Sequence, residues 1–263
     1  MINKDHFYHL NEIVSKAVKD AFTAAYQNAS LGDYYLFLAS ADANDTEDTK
    51  EKYPFVYDYQ VDNLNMANRT QFLEEYVNNK YSSNCFPTTD DLISLTFELL
   101  LYMQMWGEKS FLKKLHRLAS LCEGKNYEWE VTVYKTGMHK FISYCRMAAE
   151  NNGLAIAEII HESYLSQIRD AAAHNEYYIT SSSIVFTNYE GKSYQIPFEN
   201  TNDWTLRFVK SFLLYYHLFK EFMNQRESLN IGKHIPVQLK NADGNYIDGH
   251  ILYDGSSFHI ITK

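Results

Sequence analysis

Cysteine is scarce: 263 residues hold three, Cys85, Cys122 and Cys145. The number is odd and no CxxC spacing occurs, which excludes a disulfide framework or a structural zinc site and fits a reducing compartment. Long apolar runs are missing too. Leu92 to Trp106 is interrupted by Thr96, Glu98 and Gln104 and falls short of the ~20 residues of a membrane helix. Positive charge is in deficit, with 24 Lys and Arg against 33 Asp and Glu, a net charge of -9. Generic affinity for a phosphate backbone comes from counterions displaced by Lys and Arg clusters, so any nucleic-acid contact must use a local basic patch. The opening MINKDHFYHL has no apolar stretch behind a basic one, so no secretory signal and a cytoplasmic location are expected. Internal repeats and low-complexity tracts are absent.

Several signatures of chemistry are missing as well. Neither G-x-x-x-x-G-K-[ST] nor GxGxxG nor G-x-S-x-G occurs, which leaves an ATPase, a dinucleotide enzyme and a nucleophile-elbow hydrolase without support. His161-Glu162 lacks the second His of HExxH, and the pairs His6/His9 and His116/His139 have no carboxylate or Cys cluster. No metal or cofactor is expected. Lys109, Lys113, Lys114 and Arg117 form a basic helix face that reads as solvated. What the chain does have is aromatic mass, 22 Tyr and 16 Phe, in a composition that is 46% hydrophobic. That is enough for a sizeable core, and the rings read as core rather than as a base-stacking platform.

Apolar residues Leu10, Val14, Ala17, Ala21 and Ala24 predict a helix over roughly Lys4 to Asn28. The acidic ADANDTEDTKE stretch after Ser40 predicts a solvated loop, Tyr53 to Tyr59 an extended segment and Arg69 to Asn79 a helix. Pro87-Thr88-Thr89-Asp90-Asp91 supplies an N-cap for a central buried helix through Trp106, which Gly107 stops. A second helix through Phe111, Leu115, Leu118 and Cys122 ends at Gly124. Trp129, Val131 and Val133 alternate as a short strand, and His139 to Asn151 returns to helix.

Ile156, Ile160, Tyr164, Ile168 and Ala172 make one buried stripe on a continuous helix from Leu154 to Ala173. A β-hairpin follows around Asn188-Tyr189-Glu190-Gly191, then a helix from Asp203 to about Arg226, then three short strands separated by Asp243-Gly244 and Asp254-Gly255 turns. The expected fold is mainly α, with a β-hairpin insertion and a small C-terminal antiparallel meander, α+β overall. The expected division is an N-terminal helical and irregular region (1–84) packing on the core, a helical domain (85–228) with its hairpin at 178–198, and the meander (229–263).

The segment Ser166-Gln167-Ile168-Arg169-Asp170-Ala171-Ala172-Ala173-His174-Asn175 combines a permanent cation with an imidazole that titrates near neutral pH. That pair suits phosphodiester chemistry. Arg169 can hold phosphoryl oxygens as charge builds, and His174 can move protons to or from a ribose 2′-hydroxyl or a leaving oxygen. Asp170 and His174 are four apart, so on one helix the carboxylate orients the ring. Glu162 and Ser166 share the Arg169 stripe and are expected to steady its guanidinium, with Asn175 a further auxiliary polar group. Arg169 and His174 are five apart, so they converge only if the helix ends near His174 or a second subunit contributes.

Arg169-Asp170-Ala171-Ala172-Ala173-His174 resembles the signature of the HEPN superfamily, an Arg and a His separated by four to six residues with a polar residue after the Arg. The resemblance covers about half the chain, Thr88 to Arg226, including the hairpin and the closing helix. It implies a HEPN-like helical bundle and a metal-independent RNase of the toxin or phage-defence kind, working as a homodimer on RNA, with an antitoxin or other partner protein. Arg169, Asp170 and His174 would be catalytic. Many active members carry Asn where this chain has Asp170. The alternative is a noncatalytic HEPN-like module that binds nucleotides or a protein partner.

Overall fold

The computed structural model describes residues 4–43, 55–57, 71–82, 91–133, 137–174, 176–181, 183–187, 191–197, 202–241 and 243–262. Its helices are α1 (Lys4–Asn28), α2 (Leu31–Leu38), α3 (Gln71–Val77), α4 (Asp91–Gly107), α5 (Lys109–Cys122), α6 (Met138–Asn151), α7 (Ile156–Ser163), α8 (Ser166–His174) and α9 (Asn202–Glu227). One π-helical turn, Asn78–Ser82, follows α3. The strands are β1 (Ala41–Ala43), β2 (Phe55–Tyr57), β3 (Tyr177–Ile179), β4 (Ser183–Thr187), β5 (Ser193–Pro197), β6 (Ile235–Lys240), β7 (Tyr246–Tyr253) and β8 (Phe258–Thr262). They form three small antiparallel sheets, β1-β2, β3-β4-β5 and β6-β7-β8. The chain is thus mostly helical, and no described helix is long and apolar enough to cross a membrane.

Among the described residues five helices pack together at the centre of a core to which α2, α4 and α8 also contribute. α1 packs on α5, α7 and α9, α6 packs on α5 and α7, and α7 also packs on α9. The buried positions of α1 are Phe7, Leu10, Val14, Ala17, Val18, Ala21, Phe22 and Ala25, a stripe whose alanines let neighbouring helices approach. α5 ends as its sequence predicts, with Gly124 in the left-handed region at φ 71°. The meander also follows its pattern: Ile235, Val237 and Leu239 are buried while Pro236 and Gln238 face out.

Helix α2 has no counterpart in the sequence reading. Past Asp33 its LGDYYLFL is apolar on every side, so it shows no amphipathic period, and Tyr34 to Leu38 are all buried. Ser30 caps it by accepting from the Asp33 amide at 3.1 Å. Gly32 presses against β6, where an added Cβ would lie 2.3 Å from the Pro236 carbonyl oxygen.

Three expectations are corrected. α4 buries Leu99, Tyr102, Met105 and Trp106, but Ile93, Phe97 and Leu100 are 45–47% exposed; the helix packs on α8 and α9 rather than being enclosed. Residues 129–133 keep the strand-like alternation, with Trp129 and Val131 buried, yet make no ladder. Their backbone is held by side chains and a single contact instead: Arg117 donates to the Glu128 and Trp129 carbonyls, and Ala43 N–H donates to Trp129 O. The basic face of α5 is solvated only at its start, where Lys109 is exposed. Lys114 and Arg117 are buried, and Arg117 and Lys113 both pair with Asp42, a buried residue of the stretch read as a solvated loop. The N-cap at 87–90 and the turn at 188–190 lie outside the described residues.

Helix α9 places His217 against α1, where its Nε2 is 2.9 Å from Asn11 Oδ1. Burial first, then Lys220 on α9 and Lys19 on α1, hold the imidazole down to about 4. The neutral ring is therefore the folded form. Stability is whole above the ordinary value of ~6.5 and is lost as pH falls from there through 4, by about 3 kcal/mol in total. Urea unfolding at pH 7 and pH 4.5 should show a steeper acid loss in wild type than in His217→Gln, whose amide keeps a partner for Asn11.

Candidate functional site

The stripe of Ile156, Ile160 and Ile168 is buried as expected, but the helix carrying it is broken. α7 stops at Ser163, Tyr164 is extended (φ -91°, ψ 129°) and α8 begins at Ser166. Two neighbouring helices supply what the break removes. The Tyr102 hydroxyl of α4 donates to Ser163 O at 3.0 Å and accepts from the Leu165 N–H at 2.7 Å. Ser211 Oγ of α9 donates to the same carbonyl at 3.2 Å and accepts from Trp106 Nε1 at 3.0 Å. Burial pushes the Tyr102 phenol well up, so this splint stays protonated at any ordinary pH.

Tyr102→Phe should therefore cost about 1–3 kcal/mol, because the Leu165 amide loses its acceptor. The readout is chemical denaturation, and a cost within error would mean the break is held by packing alone.

α8 lies against α4 and β4 and buries Ile168 and Ala171. It ends at His174, which is exposed and makes no side-chain hydrogen bond among the described residues. Arg169 is only 19% exposed at its side chain, and its Nη1 donates to Asp170 Oδ1 at 2.9 Å, with Asp170 55% exposed. The expected Asp170 to His174 contact is replaced by that pair. Glu162 and Ser166 do not reach Arg169: Glu162 is taken by Lys210 of α9, and Ser166 donates to Gln167 Oε1 at 3.2 Å. The break causes this, since it takes Glu162 off the helix that carries Arg169. Asn175 lies outside the described residues.

Two neighbours escaped the sequence reading. Arg207 of α9 donates from Nη1 to the Tyr164 carbonyl at 3.3 Å. Tyr164 packs its ring at a tilt against Trp106, with centroids 4.9 Å apart and planes 58° from parallel. Burial raises the Tyr164 phenol, Asp170 adds to that and Arg169 opposes it, which places the phenol within electrostatic reach of the motif. Tyr164 read as one more core residue, and no sequence signal marks Arg207.

The chain also carries a polar cluster away from the motif. His116 Nε2 lies 2.9 Å from Glu128, Ser120 donates to the same carboxylate at 2.9 Å, and the imidazole packs on Phe141 and Tyr144. The His116 contact holds the Glu128 carboxyl below its usual range. This arrangement ties the segment after α5 to α5 and α6. Among the described residues no group of three or more His, Cys, Asp or Glu is placed to hold a metal ion. No protein-family model, curated protein or solved structure matches the chain.

Proposed function

We propose that this chain is a HEPN-like, metal-independent endoribonuclease of the toxin or phage-defence type, acting as a homodimer in the cytoplasm. The observation that carries the reading is the short helix α8, which presents Arg169 little more than a turn before an end occupied by His174, exposed and without a side-chain hydrogen bond among the described residues. An exposed imidazole and a guanidinium brought together on one phosphate are the minimum equipment for cleavage by an internal nucleophile. The ribose 2′-hydroxyl attacks the adjacent phosphorus, the 5′-oxygen leaves, and the products are a cyclic phosphate and a 5′-hydroxyl. His174 moves the proton. Arg169 holds the phosphoryl oxygens as charge builds on them.

Residues five apart on a helix project roughly 140° from one another, so one copy of α8 directs the two side chains differently. A homodimer answers this by letting Arg169 of one copy work with His174 of the other. The second reading, a noncatalytic nucleotide- or protein-binding module, is favoured by the Asp170 carboxylate seated on Arg169 and by the net charge of -9. Purified protein incubated with total RNA in EDTA decides between them. New cyclic phosphate ends, with DNA spared, support the nuclease. Cleavage that needs Mg²⁺ counts against the metal-independent mechanism, and no cleavage across RNA pools supports the binding module.

A further inference from the structure

Among the described residues four buried side-chain polar atoms lack a hydrogen-bond partner: His116 Nδ1, Ser163 Oγ, Tyr164 Oη and Arg169 Nε. Three of them fall in the seven residues that span the α7 to α8 break. Buried donors are normally satisfied, and leaving them bare is costly unless the site is built to give them to something. Tyr164 Oη and Arg169 Nε are both donors, and they lie at the same break where Arg207 arrives from α9. Lys210, one turn beyond Arg207, is neutralised by Glu162. Arg207 has a carbonyl as its hydrogen-bond partner and no ion pair among the described residues.

We infer that the break is an anion pocket in which Tyr164 and Arg207 join Arg169 to bind a phosphodiester group, with the Asp170 carboxylate seated on Arg169 until the phosphate displaces it. The ligand class rests on the ribonuclease reading; the pocket rests on the unpartnered donors. A tetrahedral oxyanion offers acceptors to two guanidinium groups and a hydroxyl at once, which a flat carboxylate does less well. Asp170 is more than half exposed, so its hold on Arg169 is weakened by water and is the movable part of the arrangement. When it swings out, Arg169 Nη1 is released to the ligand, beside the Nε that already lacks a partner. Tyr164 and Arg207 are thus binding residues, distinct from the proton-moving His174.

The test uses the full chain and two probes: a fluorescent 2′-O-methyl oligoribonucleotide, which cannot cyclise, and inorganic phosphate against chloride at matched ionic strength. The wild type is expected to bind the oligonucleotide, with phosphate competing and raising the melting midpoint. Tyr164→Phe and Arg207→Gln should each weaken oligonucleotide binding about 10-fold, the size of one hydrogen bond to a charged group. Asp170→Asn should strengthen it several-fold. Tyr164→Phe removes a hydroxyl that has no partner, so its own midpoint should not fall, which separates lost binding from lost folding.

Variants that bind as the wild type does, or a wild type that binds neither probe, overturn the pocket. Binding of phosphate without the oligonucleotide overturns the phosphodiester assignment. Cleavage of ordinary RNA is scored separately: a silent wild type whose phosphate binding still depends on Arg207 removes the nuclease reading alone, while an active wild type with unaffected Tyr164 and Arg207 variants removes the pocket alone.

Discussion

Replacing His174 by alanine is expected to lower metal-free RNA cleavage by about 10²–10⁴-fold, the usual contribution of a positioned general acid or base. His174 is exposed in the last turn of α8 and packs on nothing that needs it, so stability should change by no more than about 0.5–1 kcal/mol. Loss of cleavage without loss of folding is the signature of a residue that moves protons. His161→Ala is the matched control, because His161 is an exposed histidine on the helix just before the break. Arg169→Lys should also lose most activity while keeping the charge, since a lysine lacks the planar fork that grips two phosphoryl oxygens. Cleavage by His174→Ala at the wild-type rate would remove the acid-base assignment and point to a contaminating nuclease.

The segments that were legible in the sequence are those whose pattern is local. The meander has alternating apolar residues between Asp-Gly turns, and α1, α6 and α9 have apolar residues at helical spacing, so their boundaries can be read within a residue or two. The candidate site was legible to the same extent: Arg169 and His174 are six letters of one short helix. What surrounds them was not. The break after Ser163 depends on Tyr102 and Ser211, which lie 61 and 48 residues away along the chain. Without them an uninterrupted helix satisfies the same apolar stripe, and on that helix Glu162 faces Arg169. Tertiary hydrogen bonds overrule the period and hand Glu162 to Lys210. A helix apolar on every side, such as α2, carries no period to read at all.

The basic face of α5 fails in the sequence for the same reason, and it supports the largest stability effect expected in this chain. Arg117 is 4% exposed, its Nε donates to Glu128 O at 3.0 Å and its Nη2 to Trp129 O at 3.2 Å, and its guanidinium lies 5.0 Å from the Tyr127 ring centroid. It also pairs with Asp42, 75 residues earlier in the chain. One side chain therefore joins α5, β1 and the 127–129 segment, whose Trp129 indole in turn donates to Gln238 O of the meander at 3.2 Å. Arg117→Ala takes the donor from Glu128 O, leaves Trp129 O with the Ala43 N–H alone, and leaves Asp42 with Lys113, which is more exposed, to balance its charge. Breaking a buried ion pair from one side costs about 3–5 kcal/mol, because the remaining charge keeps its desolvation penalty and loses its partner. Arg146→Ala, by contrast, removes an exposed contact to Glu150 at 3.7 Å and should cost no more than about 0.5 kcal/mol. Urea unfolding of the two variants side by side measures the difference. A comparable small loss in both would mean that water reaches Asp42 in solution, and the segment from Lys125 to Val133 would then be held by the packing of Tyr127 and Trp129 rather than by charge.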